Sequence, residues 1–218
     1  MSQTTLFLLL NGTLQTLYMV FAASLVASLF GIPLGIFLFV TRQGNILENK
    51  LIYQFLAALV NMTRSIPFVI LMIAVIPFTR LLVGSSIGTN AAIVPLSLCA
   101  MPFIARLLES ALLEINQGLI EAATAMGATP WQIITKVLIP EALPSIVNGL
   151  TLTVVNLIGY SAMAGAIGGG GLGDIAIRYG YQRFDIGMML MTIVIMIFLV
   201  QLIQWSGDLI AKRVSHFK

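Results

Sequence analysis

Charge is scarce in this chain. Only 9% of its 218 residues are Asp, Glu, Lys or Arg, against roughly 25% in an ordinary soluble domain. Hydrophobic residues make up 59%, and the mean hydropathy is +1.02. That balance excludes a soluble globular domain and predicts an integral membrane protein held in a lipid bilayer. The single cysteine, Cys99, lies in an apolar run, which excludes a disulfide framework and a cysteine-based metal site. One histidine, His216, stands in the C-terminal tail, so a buried Ser–His pair for intramembrane proteolysis is missing. No His, Cys or carboxylate cluster suggests metal chemistry. We therefore expect no catalytic residue, no cofactor and no metal on this chain. The net charge of +3 reads as loop topology rather than a nucleic-acid footprint. The N-terminus lacks the basic start of a cleaved signal peptide. Asn11 and Gly12 interrupt its first apolar run, which predicts a short interfacial segment leading into a span.

A spanning helix needs about 20 mostly apolar residues. Five stretches qualify, at about 14–40, 57–79, 89–108, 143–166 and 186–208, within one domain covering 1–218. The fold class expected is thus all-α, with five transmembrane helices. In the first stretch, Gly31 and Gly35 flank Pro33, a spacing that favours close helix packing. The second carries Arg64, which must snorkel to the interface or face protein and water. Pro95 and Pro102 are expected to bend the third, and Arg106, Glu109 and Glu114 to mark its emergence into water. Orientation follows from the basic residues. Arg42, Lys50, Arg106, Lys136, Lys212, Arg213 and Lys218 fall on the side of the loop at about 115–140. Arg80, Arg178 and Arg183 fall on the other, with Arg64 set aside. This predicts a cytoplasmic loop, the N-terminus outside and the C-terminus in the cytoplasm.

That loop contains EAATAMGATPWQIITKVLIP, residues 121–140. Ile120, Ala123 and Met126 recur at helical spacing, and Gly127 offers a C-terminal stop. Thr129 and Pro130 read as an N-cap and first helical residue of a second helix, which Pro140 is expected to close. On pattern alone this is either a rigid knob for another protein or an ordinary interhelical loop. The residues resemble the EAA motif of ABC-importer permeases, E-A-A, three residues, G, nine residues, I, one residue, L-P. Glu121, Ala122, Ala123, Gly127 and Pro140 match it, while Val137 and Ile139 substitute branched apolar residues. The resemblance implies a type I ABC-importer permease fold in a bacterial cytoplasmic (inner) membrane. It also implies that these seven residues form coupling helices seated in a groove of a separate ATPase subunit.

The glycine-dense stretch at 168–173 lacks the lysine of a phosphate-binding P-loop, for none occurs between Lys136 and Lys212. Tight bends and close contacts explain the glycines better. The run from Gly159 to Phe184 resembles methionine-importer permeases, and Arg64-Ser65-Ile66-Pro67 is similar to a stretch of amino-acid-type permeases. Together these imply a homodimer with two ATPase subunits that carry ATP and magnesium, an extracytoplasmic methionine-binding protein, and methionine as cargo. Another amino acid or small peptide is the alternative cargo. A secondary transporter would want intramembrane ionisable groups, and the last two spans have none before Asp208.

Asn156, Tyr160 and Met163 share one helix face, which either lines the pathway or lets Asn156 bond a neighbouring helix. With Arg64, Ser65 and Pro67 they are the candidate pathway residues. Ser161, Gly165 and Gly169 form a small-residue line suited to packing. Gln201, Gln204 and Asp208 share a face near the end of the last span.

Overall fold

A computed structural model of the chain describes residues 3–215, which leaves His216 and Lys218 outside. Among the described residues every regular element is helical. Helix α1 runs Gln3–Thr41 without a break. The expected interfacial segment is therefore not separate: Asn11 and Gly12 belong to the helix. Gly12 is buried, and a Cβ there would strike the Ile175 side chain. Helix α2 (Lys50–Ser65) begins on Asn49, whose side chain accepts from the Ile52 N–H at 3.1 Å.

The stretch read as one span at 57–79 is broken. Helix α3 (Phe68–Ala74) leaves α2 at a 101° bend. Pro67 is the cause, since it has no N–H to donate and pushes the preceding residue out of helical geometry. Ile66 is accordingly extended, with φ −81° and ψ 124°. Helix α4 (Ile76–Val83) follows and ends on the left-handed Gly84. Helix α5 (Thr89–Leu113) then continues through Pro95 and Pro102.

Helices α6 (Gln117–Ala125) and α7 (Pro130–Ile133) form the 121–140 element. Pro140 does not close α7. A π-helical turn, Ile134–Leu138, joins α7 to α8 (Ile139–Ala164). Within it the Ile139 N–H bonds Ile134 O, five residues back. A proline ring needs room against the preceding turn, and the wider π turn gives it. A kinked segment (Gly165–Gly169) in which Ile167 and Gly168 leave helical geometry, the short α9 (Gly171–Ile175), a further π turn (Ala176–Tyr181) and α10 (Ile186–Ser215) complete the described residues.

Small residues set how closely these helices approach, as suits a bundle that gains nothing by hiding apolar surface from lipid. A Cβ on Gly31 would lie 2.8 Å from Met101 O, and one on Gly35 would lie 2.6 Å from Ala105 O. Backbone thus meets backbone where α1 crosses α5. Of the expected Ser161–Gly165–Gly169 line, Gly165 packs against the returning chain, while the helix breaks at Ile167–Gly168 and turns Gly169 toward Ala164 instead. A Cβ on Gly165 would meet Asp174 N at 2.4 Å, and one on Gly173 would meet Ala162 O at the same distance. Gly168, Gly170 and Gly171 all have positive φ, as that reversal requires. The first free amides of α9 are satisfied by α1, because Gln15 Oε1 accepts from Gly171 N and Thr16 Oγ1 from Leu172 N, both at 2.9 Å.

The central core joins Met19, Val20 and Ala23 of α1 with Leu96 of α5, Leu157 of α8 and Leu172 of α9. Large apolar side chains such as Phe7, Leu14, Leu29, Leu51, Phe55 and Phe198 point outward, an arrangement fit for lipid and not for water. By length and composition four helices can cross a membrane, those at Gln3–Thr41, Thr89–Leu113, Pro130–Gly169 and Ile186–Ser215. The bent α2–α3 pair makes a fifth if it is counted as one span.

Candidate coupling element and pathway cavity

The turn between α6 and α7 is built with no spare residue. Gly127 sits at φ +80°, the left-handed position that ends a helix. Its N–H donates to Thr124 O at 2.9 Å, and the Ala128 N–H donates to Ala123 O at 3.1 Å. This is the bonding of a Schellman stop. Thr129 then starts α7 at once. Its Oγ1 accepts from Gln132 N, and Gln132 Oε1 accepts from Thr129 N at 2.9 Å, a complete capping box with Pro130 first in the helix. Four consecutive residues thus stop one helix and start the next, each with its own bond or fixed dihedral.

The seven motif residues divide by environment. Ala123 is buried with Ile133, Ile134 and Leu138 against Val40 of α1 and Leu112 of α5. Val137 and Ile139 are half-buried against the same cluster. Glu121, Ala122, Gly127 and Pro140 are exposed. Met126 does not share the inward face of Ile120 and Ala123. It is the C-cap, with ψ 1°, and is 82% exposed. Trp131, 72% exposed, is a large apolar surface residue that spacing did not single out. Its place two residues after an N-cap was the available signal. Beside these lies an open groove of about 640 Å³, where Glu121 and Thr124 of α6 face Gly44–Ile46 of the α1–α2 loop.

The pathway candidates come together in part. A cavity of about 240 Å³ opens between the end of α2, the middle of α5 and α8. Its polar lining is Arg64, Thr153, Asn156 and Tyr160, and its apolar walls are Ala100, Phe103 and Leu157, with Cys99 between them. Arg64 stands 5.8 Å from the Phe103 ring centroid. Tyr160 stacks on Phe68 of α3, centroids 4.9 Å apart at 19°. Ser65 and Pro67 lie at the α2–α3 break instead, where Ser65 Oγ donates to Asn61 O at 2.8 Å. Met163 is one turn beyond the Tyr160–Phe68 stack, outside the cavity lining and half exposed. Cys99, Phe103 and Thr153 were not anticipated, although 99 and 103 share an α5 face as 156 and 160 share one on α8.

A second polar cluster joins α2 to α5. Glu109 does not emerge into water and is only 1% exposed. It forms an ion pair with Arg106 and accepts from Tyr53 Oη at 3.1 Å. Arg106 also donates to Asn61 Oδ1 at 2.8 Å. Tyr53 and Asn61 belong to α2, whose only fully buried residue is Val60. Two hydrogen bonds thus cross from α2 to α5, beside an apolar contact of Val60, Leu56 and Ala57 with Leu38 and Ala105. At the other helix ends, Gln204 Nε2 donates to Asp208 Oδ1 within α10, and the Gly88 N–H donates to Gly168 O across the 84–88 turn.

Comparison with known proteins agrees with this layout. The family model described as "Binding-protein-dependent transport system inner membrane component" matches residues 31–216. The "Probable D-methionine transport system permease protein MetI" of Vibrio cholerae is 58% identical over 209 residues, 96% of this chain and 93% of that protein. The D-methionine transport system permease protein MetI of Escherichia coli is 54% identical over 165 residues, 76% of each chain. A chain of the MetNI methionine ABC transporter, solved in inward-facing conformations, superposes with a TM-score of 0.97 at 52% identity, over 98% of this chain and 99% of that one. An amino acid ABC transporter crystallised with histidines shares the fold, with a TM-score of 0.77 at 19% identity and 94% coverage of both chains. On the family match across 31–216, the chain belongs to the inner-membrane components of binding-protein-dependent transport systems.

Proposed function

We propose that the chain is the membrane-spanning permease subunit of an ATP-driven importer of methionine. Two copies assemble about a shared axis, two ATPase subunits dock on the cytoplasmic face, and an extracytoplasmic binding protein delivers substrate. The observation that carries this reading is the α6–α7 element: a stiff turn, seated on the ends of α1 and α5, that displays Met126 and Trp131 to a partner. The cargo rests on the methionine permeases that the chain matches at 54–58% identity. ATP chemistry belongs to the partner, and this chain contributes no catalytic group.

The reading includes five spans, with the bent α2–α3 pair as one of them, the N-terminus outside and the C-terminus in the cytoplasm. The positive-inside count supports that orientation. So does the grouping of loops, since Gly44–Ile46 line one groove with Glu121, while Gly88 bonds Gly168 at the far end of α5. In operation, ATP closes the two ATPases and the coupling elements move with them. The spans then rock between outward and inward access, which requires nucleotide to bind the two states with different affinity. The substrate passes the cavity bordered by Arg64, Asn156 and Tyr160.

The test is ATP-driven uptake of radiolabelled methionine into vesicles holding the permease, its ATPase and its binding protein, competed by a panel of amino acids. Methionine uptake that depends on ATP and resists the other amino acids is expected. Failure of unlabelled methionine to compete removes the cargo, and gradient-driven uptake without the ATPase removes the coupling.

A further inference from the structure

The cavity at Arg64 holds polar groups that the fold leaves unused. Among the described residues the Arg64 guanidinium has only the Phe103 ring face, and neither the Asn156 amide nor the Tyr160 hydroxyl has a hydrogen-bond partner. Elsewhere in the bundle the same residue types are satisfied. Arg106 has Glu109 and Asn61, Tyr53 has Glu109, and Tyr18 Oη donates to Asn90 Oδ1 at 3.0 Å. None of these polar groups is sealed off from the cavity, and polar groups inside a membrane-spanning bundle usually mark a substrate path. Three unpartnered ones on a shared cavity therefore point to something that enters it.

The donor set says what that is. Arg64 contributes a fixed positive fork that suits a carboxylate. Thr153 has already given its Oγ1 proton to Gly149 O at 2.9 Å, so only its lone pairs remain to offer. Asn156 Oδ1 and Tyr160 Oη add two more acceptors. One cation and a group of acceptors complement a carboxylate and an ammonium held on one carbon. Ala100, Phe103 and Leu157, with Cys99 between them, then form a wall for an unbranched apolar side chain, and sulfur contacts to aromatic rings are favourable. The volume, about 240 Å³, falls below the roughly 300–1,000 Å³ of drug-sized ligand sites. That is the scale of one free amino acid.

We infer that this cavity is a selective subsite for a zwitterionic amino acid with an apolar side chain, in which Arg64 takes the carboxylate and Asn156 and Tyr160 take the ammonium group. The inference rests on the importer reading above. It adds that the permease itself examines its cargo, rather than leaving all selectivity to the binding protein.

Cys99, the chain's one cysteine, lies in the wall of the cavity and gives a local readout. The complex with its ATPase subunits, in lipid nanodiscs and without the binding protein, is treated with a small neutral thiol reagent across a range of methionine concentrations. Labelling of this chain is read by mass. Methionine is expected to protect Cys99 saturably, and methioninamide, which lacks the carboxylate, is expected not to. R64Q should shift the protection midpoint at least about tenfold, the scale of one charge-assisted contact, with R64K in between. N156A should shift it a few-fold. Assembly of each variant with the ATPase is checked by size exclusion. Labelling that methionine never alters, protection unchanged in R64Q, or a Cys99 that never reacts in any nucleotide state each overturn the subsite. Wild-type uptake in the vesicle assay separates the two readings. Uptake without protection sinks the subsite alone, and no methionine uptake sinks the importer reading beneath it.

Discussion

Replacing Gly127 tests whether the α6–α7 turn must hold its shape to transmit work. Nothing lies within 4 Å of a Cβ built there, so alanine meets no steric wall. Its cost is backbone strain alone, about 1–2 kcal/mol for a residue with a Cβ in the left-handed region. That is a roughly 5- to 30-fold loss in the population of the correct turn. The Ala128–Ala123 bond and the capping box remain to oppose it. Proline is different in kind. It locks φ near −65° where the turn needs +80°. It also deletes the N–H that Gly127 donates to Thr124 O, a bond worth about 1 kcal/mol net. No rearrangement within the four-residue turn supplies both. In vesicles with ATPase and binding protein, G127A should lower ATP-driven methionine uptake a few-fold and G127P should abolish it. G127N should fall nearest wild type, because asparagine tolerates the left-handed region. All three should insert in the membrane normally, since the site lies outside the long apolar helices. Wild-type uptake by G127P refutes the argument that this turn is a rigid part.

Three further outcomes follow from the packing. Ala123→Asp places an unpaired carboxylate among Ile133, Ile134 and Leu138, a penalty of several kcal/mol. It should release the ATPase on co-purification while membrane insertion persists. Glu109→Ala strands Arg106 and Tyr53, and about 2–3 kcal/mol of stability should be lost, less than for a wholly buried pair because the Arg106 side chain is 25% exposed. Glu109→Gln keeps one acceptor oxygen, although Tyr53 and Arg106 use different carboxylate oxygens, and should lose less than alanine, as thermal unfolding in detergent would report. Gly35→Ala drives a Cβ to 2.6 Å from Ala105 O and should cost about 1–3 kcal/mol in the same assay. Gly44→Ala meets nothing and bears only left-handed strain, about 1–2 kcal/mol. A larger loss for Gly44→Ala than for Gly35→Ala would contradict the account of the α1–α5 contact.

Local chemistry made the coupling element readable before any coordinates. Gly127, Thr129 and Pro130 each have one conformational use at their position, and all three serve it. The long spans were legible for the same reason, because hydropathy needs no tertiary context. What pattern could not give was whatever depends on a partner across the bundle. Pro67 looked like one proline inside a span, yet it ends α2 and turns the chain by 101°. Pro140 looked like a stop, yet a π turn carries the helix past it. Glu109 looked like the edge of the membrane because charge usually marks water, but its countercharge on the next turn and the Tyr53 hydroxyl on α2 keep it inside. In the cavity, Arg64, Asn156 and Tyr160 were named from charge and spacing. Cys99, Phe103 and Thr153 were not, since an apolar run with one cysteine shows no reason to face anything.

The coupling element and the cavity are joined by stiff contacts at one end and a joint at the other. Ala123 and Leu138 share one buried cluster with Val40 and Leu112, and α1 and α5 are locked together at Gly31 and Gly35 by backbone contact. Close-packed interfaces of this sort do not deform gradually, so a push on the element is carried by α1 and α5 as one body. Helix α2 is tied to that body by two hydrogen bonds, Tyr53 to Glu109 and Arg106 to Asn61, and by a small apolar cluster of Val60, Leu56 and Ala57 on Leu38 and Ala105. Its far end is the Ile66–Pro67 break, where the main chain is extended and no helical bond crosses at Pro67. Arg64 sits two residues before that break, and Phe68, just after it, stacks on Tyr160. The polar lining of the cavity is thus distributed across the α2–α3 joint, with Arg64 on the α2 side and Tyr160 stacked on Phe68 of the α3 side. A change of angle at that joint would alter the spacing of Arg64 and Tyr160, and it must carry Phe68 and Met72 with it, because both are buried in the central core.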